Sequence, residues 1–262
     1  MCVKEVLSYQ SVDICLGEQR IVHDVNFTLH SGEILGIVGE SGSGKSTILK
    51  AAMGLLGNNG SVTKGTICFQ GSSLLKLSEK EFRKIRGEKI GMIFQDAGAS
   101  LCPIRKIGSQ IYESILAHKK MTREEAKEKA LNLLIKLKFQ DVERIWNSYP
   151  FELSGGMNQR IGIAVAMLME PDVLLADEPT SALDVAVQRQ AVQEMLALRE
   201  MFGTAMILVT HDIGTASVMA DTMLVLKDGE VMEYGETRQV LEAPENDYTK
   251  KLLSAVPRLR RA

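Results

Sequence analysis

No stretch of the chain approaches the roughly 20 consecutive apolar residues that a membrane helix requires, so work at a membrane would need other chains to supply the span. The N-terminus has no basic segment followed by an apolar stretch, and no signal peptide is expected. Cysteine is scarce: Cys2, Cys15, Cys68 and Cys102 lie far apart and form no CxxC pair. That spacing argues against a zinc or iron–sulfur site and against a disulfide framework; reduced, structural thiols in a cytosolic protein are the expected use. Neither sign of charge is in surplus. The formal net charge is -2, which gives no support to a nucleic-acid binder resting on broad phosphate neutralisation. The short basic tail Arg258, Arg260, Arg261 reads as a solvated terminus rather than a lipid-headgroup contact. No internal repeat or low-complexity block stands out.

What is present is the composition of an ordinary globular protein, with 45% hydrophobic and 24% charged residues in 262. A chain of this length buries a sizeable core as one large domain or two associated lobes. Residues 1–30 alternate apolar and polar positions (Val12, Ile14, Leu16; Val25, Phe27, Leu29), as half-buried antiparallel strands do. Ser31-Gly32 turns the chain into Ile34–Val38, an apolar run of buried-strand type. A glycine-rich loop and a helix from about Lys45 to Leu56 follow, then a loop at Gly57–Gly60 and a strand at Gly65–Gln70. Ser78-x-x-Glu81 and Thr122-x-x-Glu125 are capping boxes, each opening a helix. In the second helix Ala126, Ala130, Leu133, Leu134 and Leu137 form one stripe, with Lys and Glu on the solvated face. Val173–Ala176 and Met206–Val209 are again core-strand runs, and Met223–Leu226, Asp228-Gly229 and Val231–Tyr234 make a tight hairpin. Strands alternating with helices imply an α/β core.

Gly39-Glu40-Ser41-Gly42-Ser43-Gly44-Lys45-Ser46 has the P-loop spacing, with an apolar strand before it and a helix after it. Its glycines let successive N–H groups point inward at phosphate oxygens, and the helix N-terminus adds partial positive charge. Lys45 is suited to the β- and γ-phosphates, and the Ser46 hydroxyl to Mg²⁺, with Thr47 beside it. Asp177-Glu178 ends an apolar strand, at the sheet edge where α/β proteins bind ligands. Asp177 suits the Mg²⁺ shell and Glu178 a general base for water. Leu153-Ser154-Gly155-Gly156-Met157-Asn158-Gln159-Arg160 supplies a second candidate anion site: Ser154 caps a helix and offers a hydroxyl, while Gly155 and Gly156 expose N–H groups.

The last segment resembles the signature of ABC proteins, with Met157 where the family usually has a polar residue. The resemblance covers nearly the whole chain and extends to three further elements. Gln95, in Ile93-Phe94-Gln95-Asp96, resembles the Q-loop glutamine, which implies a Mg²⁺ ligand. Ser181-Ala182-Leu183-Asp184 resembles the D-loop at a dimer seam. His211, in Val209-Thr210-His211-Asp212, resembles the switch histidine of the γ-phosphate. By spacing, Leu16 occupies the position where the family stacks an aromatic ring on adenine.

The resemblance implies a P-loop (RecA-like) ABC ATPase core with an antiparallel β subdomain and an inserted α-helical subdomain, in a single nucleotide-binding domain over 1–262. Residues 1–95 and 166–262 are expected to form the core with the β subdomain, and 96–165 the helical subdomain. The similarity is greatest to ATPase subunits of peptide and nickel importers, on Tyr149–Met157, Ala176–Val185 and the segment around Tyr248-Thr249-Lys250. The chain ends at Ala262 without the longer cysteine-containing extension of many peptide-type members, which points toward the short nickel- or metal-chelate type. The resemblance implies ATP and Mg²⁺ as cofactors and a second ABC ATPase subunit as partner, in a heterodimer. It also implies integral membrane permease subunits, an extracytoplasmic solute-binding protein reached indirectly, no nucleic acid, and a peripheral location on the cytoplasmic side of the cell membrane. Leu101, Ile104, Ile107, Ile111 and Ile115 either line a groove for a permease helix or pack inside the helical lobe. The competing function is an ABC-type ATPase of a soluble enzyme assembly, of the carbon–phosphorus lyase kind.

Overall fold

The computed structural model describes residues 4–181 and 183–255. Cys2, Ala182 of the D-loop-like segment and the basic tail Arg258, Arg260, Arg261 lie outside the described residues. In chain order the first elements are β1 (Glu5–Leu16), β2 (Gln19–His30), β3 (Ile34–Val38), α1 (Lys45–Ala52), β4 (Gly60–Phe69), β5 (Ser72–Ser73) and α2 (Glu79–Ile85). Then come β6 (Ile90–Ile93), α3 (Ile107–Leu116), α4 (Arg123–Lys136), α5 (Val142–Asn147), α6 (Gly155–Met167), β7 (Val173–Asp177) and α7 (Val185–Phe202). The last are β8 (Ala205–Thr210), α8 (Ile213–Met219), β9 (Thr222–Lys227), β10 (Glu230–Glu236), α9 (Thr237–Glu242) and α10 (Asp247–Ser254). The chain divides into two compact units, one made of Met1–Phe82 with Ala205–Ala262, the other of Arg83–Thr204.

The first unit contains an antiparallel sheet of order β2-β1-β4-β5. The alternation in residues 1–30 becomes the register of β1 on β2, with Tyr9 opposite Phe27 and Ile14 opposite Val22. The Tyr9 and Phe27 rings stack at 4.5 Å, and the buried Tyr9 hydroxyl donates to the Ile48 carbonyl of α1 at 2.6 Å. This unit also holds β3, fully buried along its length and hydrogen-bonded in parallel to both β8 and β9. A strand covered on both faces has no polar alternation, which is why Ile34–Val38 and Ala205–Thr210 read as continuous apolar runs. The hairpin β9–β10 turns at Asp228 (φ 47) and Gly229 (φ 82), the two positive dihedrals that a two-residue hairpin turn needs.

Two boundaries differ from expectation. Strand β4 begins at Gly60 rather than Gly65. Helix α1 stops at Ala52 rather than near Leu56. Gly54 adopts φ 60; its N–H reaches the Ala51 carbonyl, and the Leu55 N–H reaches that of Lys50 at 2.8 Å. This paired closure spends the helix's last carbonyls and turns the chain out.

In the second unit β6 and β7 pair in parallel, and helices make up most of the remainder. Thr122 and Glu125 form the expected capping box at the start of α4, and Ala126, Ala130, Leu133, Leu134 and Leu137 are all buried. Burying each such leucine is worth roughly 1.5–3 kcal/mol. Helices α3 and α5 approach closely because Gly108 has no side chain; a Cβ there would lie 2.3 Å from the Trp146 ring. Arg160 of α6 forms a buried ion pair with Glu194 of α7 and lies 4.0 Å over the Phe139 ring. Burial pushes the Glu194 carboxyl above its ordinary pKa, and Arg160 opposes that shift. Among the described residues no helix is long and apolar enough to cross a membrane.

Candidate functional site

The first unit carries the glycine-rich loop. It leaves β3 at Val38 and enters α1 at Lys45, so the backbone must reverse within a few residues. Gly42 (φ 83) and Gly44 (φ 101) take conformations that residues with side chains avoid. Gly39 answers a different need: a Cβ there would stand 2.0 Å from the Leu226 carbonyl oxygen. The β9–β10 turn braces the loop from below, with the Gly229 N–H donating to the Ser43 carbonyl at 3.0 Å and the Gly229 carbonyl accepting from His23 at 2.8 Å. Lys45 is buried, and its ammonium group donates to the carbonyls of Gly39 (2.8 Å) and Glu40 (2.6 Å).

The loop fits an anionic group. The Ser43 hydroxyl is buried with no hydrogen-bond partner among the described residues, and a Cβ on Gly42 would meet nothing within 4 Å. A charged phosphate oxygen is a stronger acceptor for a lysine ammonium group than a main-chain carbonyl. Ser41 and Glu40 are exposed, and Ser46 and Thr47 are half-buried in the first turn of α1. Glu40 accepts from the Tyr248 hydroxyl of α10 at 3.2 Å. Burial, and then the nearby Glu40 charge, raise the Tyr248 phenol above its ordinary pKa, while Lys227 lies 5.0 Å from its ring.

Two more expected residues belong to this unit. Val38 is opposite Thr210 in the parallel pair β3–β8, so Gly39 and His211 leave neighbouring strands at one carboxyl edge. His211 is exposed, and the chain beyond it is pinned by Asp212, which caps α8 through the Gly214 N–H at 2.8 Å. Leu16 ends β1, opposite Gln19 and Gly60, and is 39% exposed. The same hairpin presents the Ile21 carbonyl and Val22 to Gly44 at 3.1 Å from where a Cβ would stand.

The second unit carries the carboxylates. Ile93 is opposite Ala176 in the β6–β7 pair, so Gln95 and Asp177-Glu178 emerge at one carboxyl edge. Asp177 is buried, Glu178 is half-buried, and Gln95 is exposed. Glu178 adopts φ 45, and its carbonyl accepts from the Ser181 N–H at 3.2 Å and hydroxyl at 3.1 Å. Ser154 caps α6, accepting from the Met157 N–H at 3.2 Å, and Ser154 and Gly155 face solvent. Gly156 packs on α7, where a Cβ would lie 2.6 Å from Val187. Asp184 caps α7 through Ala186 and Val187. The two helix starts therefore lie side by side, with Phe151 and Val185 beside them 70% and 83% exposed.

The apolar series 101–115 divides. Ile107, Ile111 and Ile115 are buried, each at 2% exposure or less, so helical packing and not a groove accounts for them. Spaced four residues apart, they share one helix face, which turns inward because α3 lies on α4 and α5. Ile104 is 81% exposed. Leu101 lines a cleft of about 220 Å³ with Met92, Phe94, Ser100, Val165 and Met169. No site role was evident in sequence for three residues that shape the site: Gly229, Tyr248 and Gln159. Only Gly229 had a local signal, the Asp-Gly turn.

The family described as ABC transporter matches residues 22–181. The oligopeptide transport ATP-binding protein OppD of Salmonella typhimurium is 46% identical over 243 residues, covering 93% of this chain and 72% of that protein. The dipeptide transport ATP-binding protein DppD of Lactococcus lactis is 42% identical over 242 residues, covering 92% and 69%. Among solved structures, the dimeric post-hydrolysis state of the ATP-binding cassette MJ0796 bound to ADP and Pi has a TM-score of 0.76 at 31% identity, covering 88% of this chain and 99% of that one. With the glycine-rich loop, the Asp177-Glu178 strand end and the Ser154 turn all present in a fold of this kind, the chain belongs to the ABC transporter family.

Proposed function

We propose that this chain is the ATP-hydrolysing subunit of a peptide importer, acting from the cytoplasmic face of a membrane as a peripheral subunit. The observation that carries the reading is the pairing of two helix-start anion sites in one chain, the Lys45 loop and the exposed Ser154 turn. In this reading residues 39–47 of one subunit hold the ATP phosphates, and Ser154, Gly155, Gly156 and Asp184 of a second ATPase subunit complete the pocket. Exposed Phe151 and Val185 beside the Ser154 turn support a face that meets another molecule.

Hydrolysis is then divided among named groups. Lys45 exchanges its loop carbonyls for phosphate oxygens, and His211 contacts the terminal phosphate. Glu178 takes the proton of the attacking water. Ser46, Gln95 and Asp177 are suited to a hard divalent cation by their oxygen donors. Mg²⁺, when bound, neutralises phosphate charge. Residues 96–165 act as the helical subdomain, and the cleft lined by Phe94 and Leu101 receives a cytoplasmic helix of a permease subunit. Leu16 covers the adenine with apolar contact but no ring stacking, so Leu16→Tyr is expected to tighten ATP binding by about 0.5–1.5 kcal/mol, the worth of an aromatic contact. Nucleotide titration checks this; unchanged affinity counts against the assignment.

The relatives' names favour peptide cargo over nickel chelates, and a permease partner over a soluble enzyme assembly. Purification through a tag on this chain tests the reading. Co-purifying integral membrane subunits and a second, different ATPase chain are expected. A wholly soluble complex would count against import.

A further inference from the structure

We infer that Gln159 is a positioning residue for hydrolysis, a buried strut joining the turn that carries Glu178 to the segment that follows Gln95. The inference rests on the assignment of Glu178 as base. Gln159 lies in the second turn of α6 and is 3% exposed. Its Nε2–H donates to the Pro179 carbonyl at 2.6 Å, and its Oε1 accepts from the Gly98 N–H at 3.2 Å. Both ends of the amide are used, and a carboxamide is the side chain that offers a donor and an acceptor from one planar group.

The two partners bracket the chemistry. Pro179 directly follows Glu178, whose φ of 45 is held from the other side by Ser181. Residues with side chains occupy that region only where the surroundings keep them there. Fixing the Pro179 carbonyl anchors the far side of the residue that directly follows Glu178, and so restrains the turn that carries the Glu178 side chain. Gly98 sits in the short 3₁₀ turn Ala97–Ser100, three residues beyond Gln95. It rests directly on α6, since a Cβ there would lie 3.1 Å from that of Asn158. Helix α6 itself is capped by Ser154. One side chain thus connects the helix of the Ser154 turn, the Gln95 segment and the carboxylate turn. Movement of any one of them is passed to the direction of Glu178, because an unmade bond would leave a buried carbonyl or N–H unsatisfied.

The test uses the assembled complex with Gln159→Glu and Gln159→Met, measured beside Glu178→Gln. The first keeps the length of the side chain but loses the donor to Pro179, and the second keeps its bulk and removes both bonds. Both are expected to lower kcat for ATP hydrolysis at least tenfold with the nucleotide Kd within twofold of wild type. If Gln159→Met does not fold, the near-isosteric Gln159→Glu decides. Turnover within twofold of wild type in the folded variants, or a loss of affinity in step with turnover, overturns the positioning role. Normal turnover in Glu178→Gln would instead overturn the base assignment, whatever the Gln159 variants do.

Discussion

Glu178→Gln is expected to bring ATP turnover down by about 10²–10⁴-fold, the range of a lost general base, with nucleotide affinity unchanged. The amide has the shape of the carboxylate but cannot take a proton from water. Its place at the end of β7 is set by backbone contacts, the Ser181 N–H and hydroxyl on the Glu178 carbonyl, which the substitution leaves alone. Ser43 and Lys45, proposed to hold the phosphates, belong to other elements and are equally untouched. A change confined to the chemical step lowers kcat without altering binding, so the variant should accumulate ATP-bound, closed complexes. Phosphate release and nucleotide titration on the same preparation check this, and near-normal release would refute the role.

Lys45→Ala is expected to fail earlier, at binding. The Lys45 ammonium group is the buried cation of the loop, and its acceptors include two main-chain carbonyls, of Gly39 and Glu40. Phosphate oxygens are the stronger acceptors, and a hydrogen bond to a charged group contributes about 1.5–3 kcal/mol. Its removal should weaken ATP binding by roughly 10–100-fold, since each 1.4 kcal/mol is a factor of ten. The same change takes the Lys45 donor from the Gly39 and Glu40 carbonyls, of which Glu40 keeps the Ser43 N–H at 3.3 Å, so some loss of thermal stability should accompany it. Titration with ATP reads the affinity, and a Kd within threefold of wild type would sink the assignment. Together the two variants separate the binding step from the chemical step.

What was legible in sequence was what is local in the chain. The loop 39–46, the boxes at Ser78 and Thr122 and the Asp228-Gly229 turn are each set by neighbours within a few residues, and backbone geometry dictates their residue types. The end of α1 was missed although its cause is also local: Leu55 and Leu56 continue the apolar pattern, and Gly54 overrides it. The series 104–115 was ambiguous for a different reason. Spacing says that Ile107, Ile111 and Ile115 share a face, but not that the face meets Trp146, whose approach depends on the bare Gly108 backbone. Gln159 and Tyr248 were harder still. The first acts on residues 61 and 20 positions away, the second on one 208 away, and no local pattern encodes such pairs.

The central claim is that one subunit's Lys45 loop and another's Ser154 turn close on the same nucleotide. Ultraviolet cleavage by vanadate trapped at the terminal-phosphate position in the MgADP-bound complex tests it directly, because the cut marks the backbone that lies against the vanadate. Cuts within residues 39–46 of one ATPase chain and at the Ser154-type turn of its neighbour are predicted. Cuts confined to the glycine-rich loop, with the neighbouring turn intact, would contradict the shared pocket.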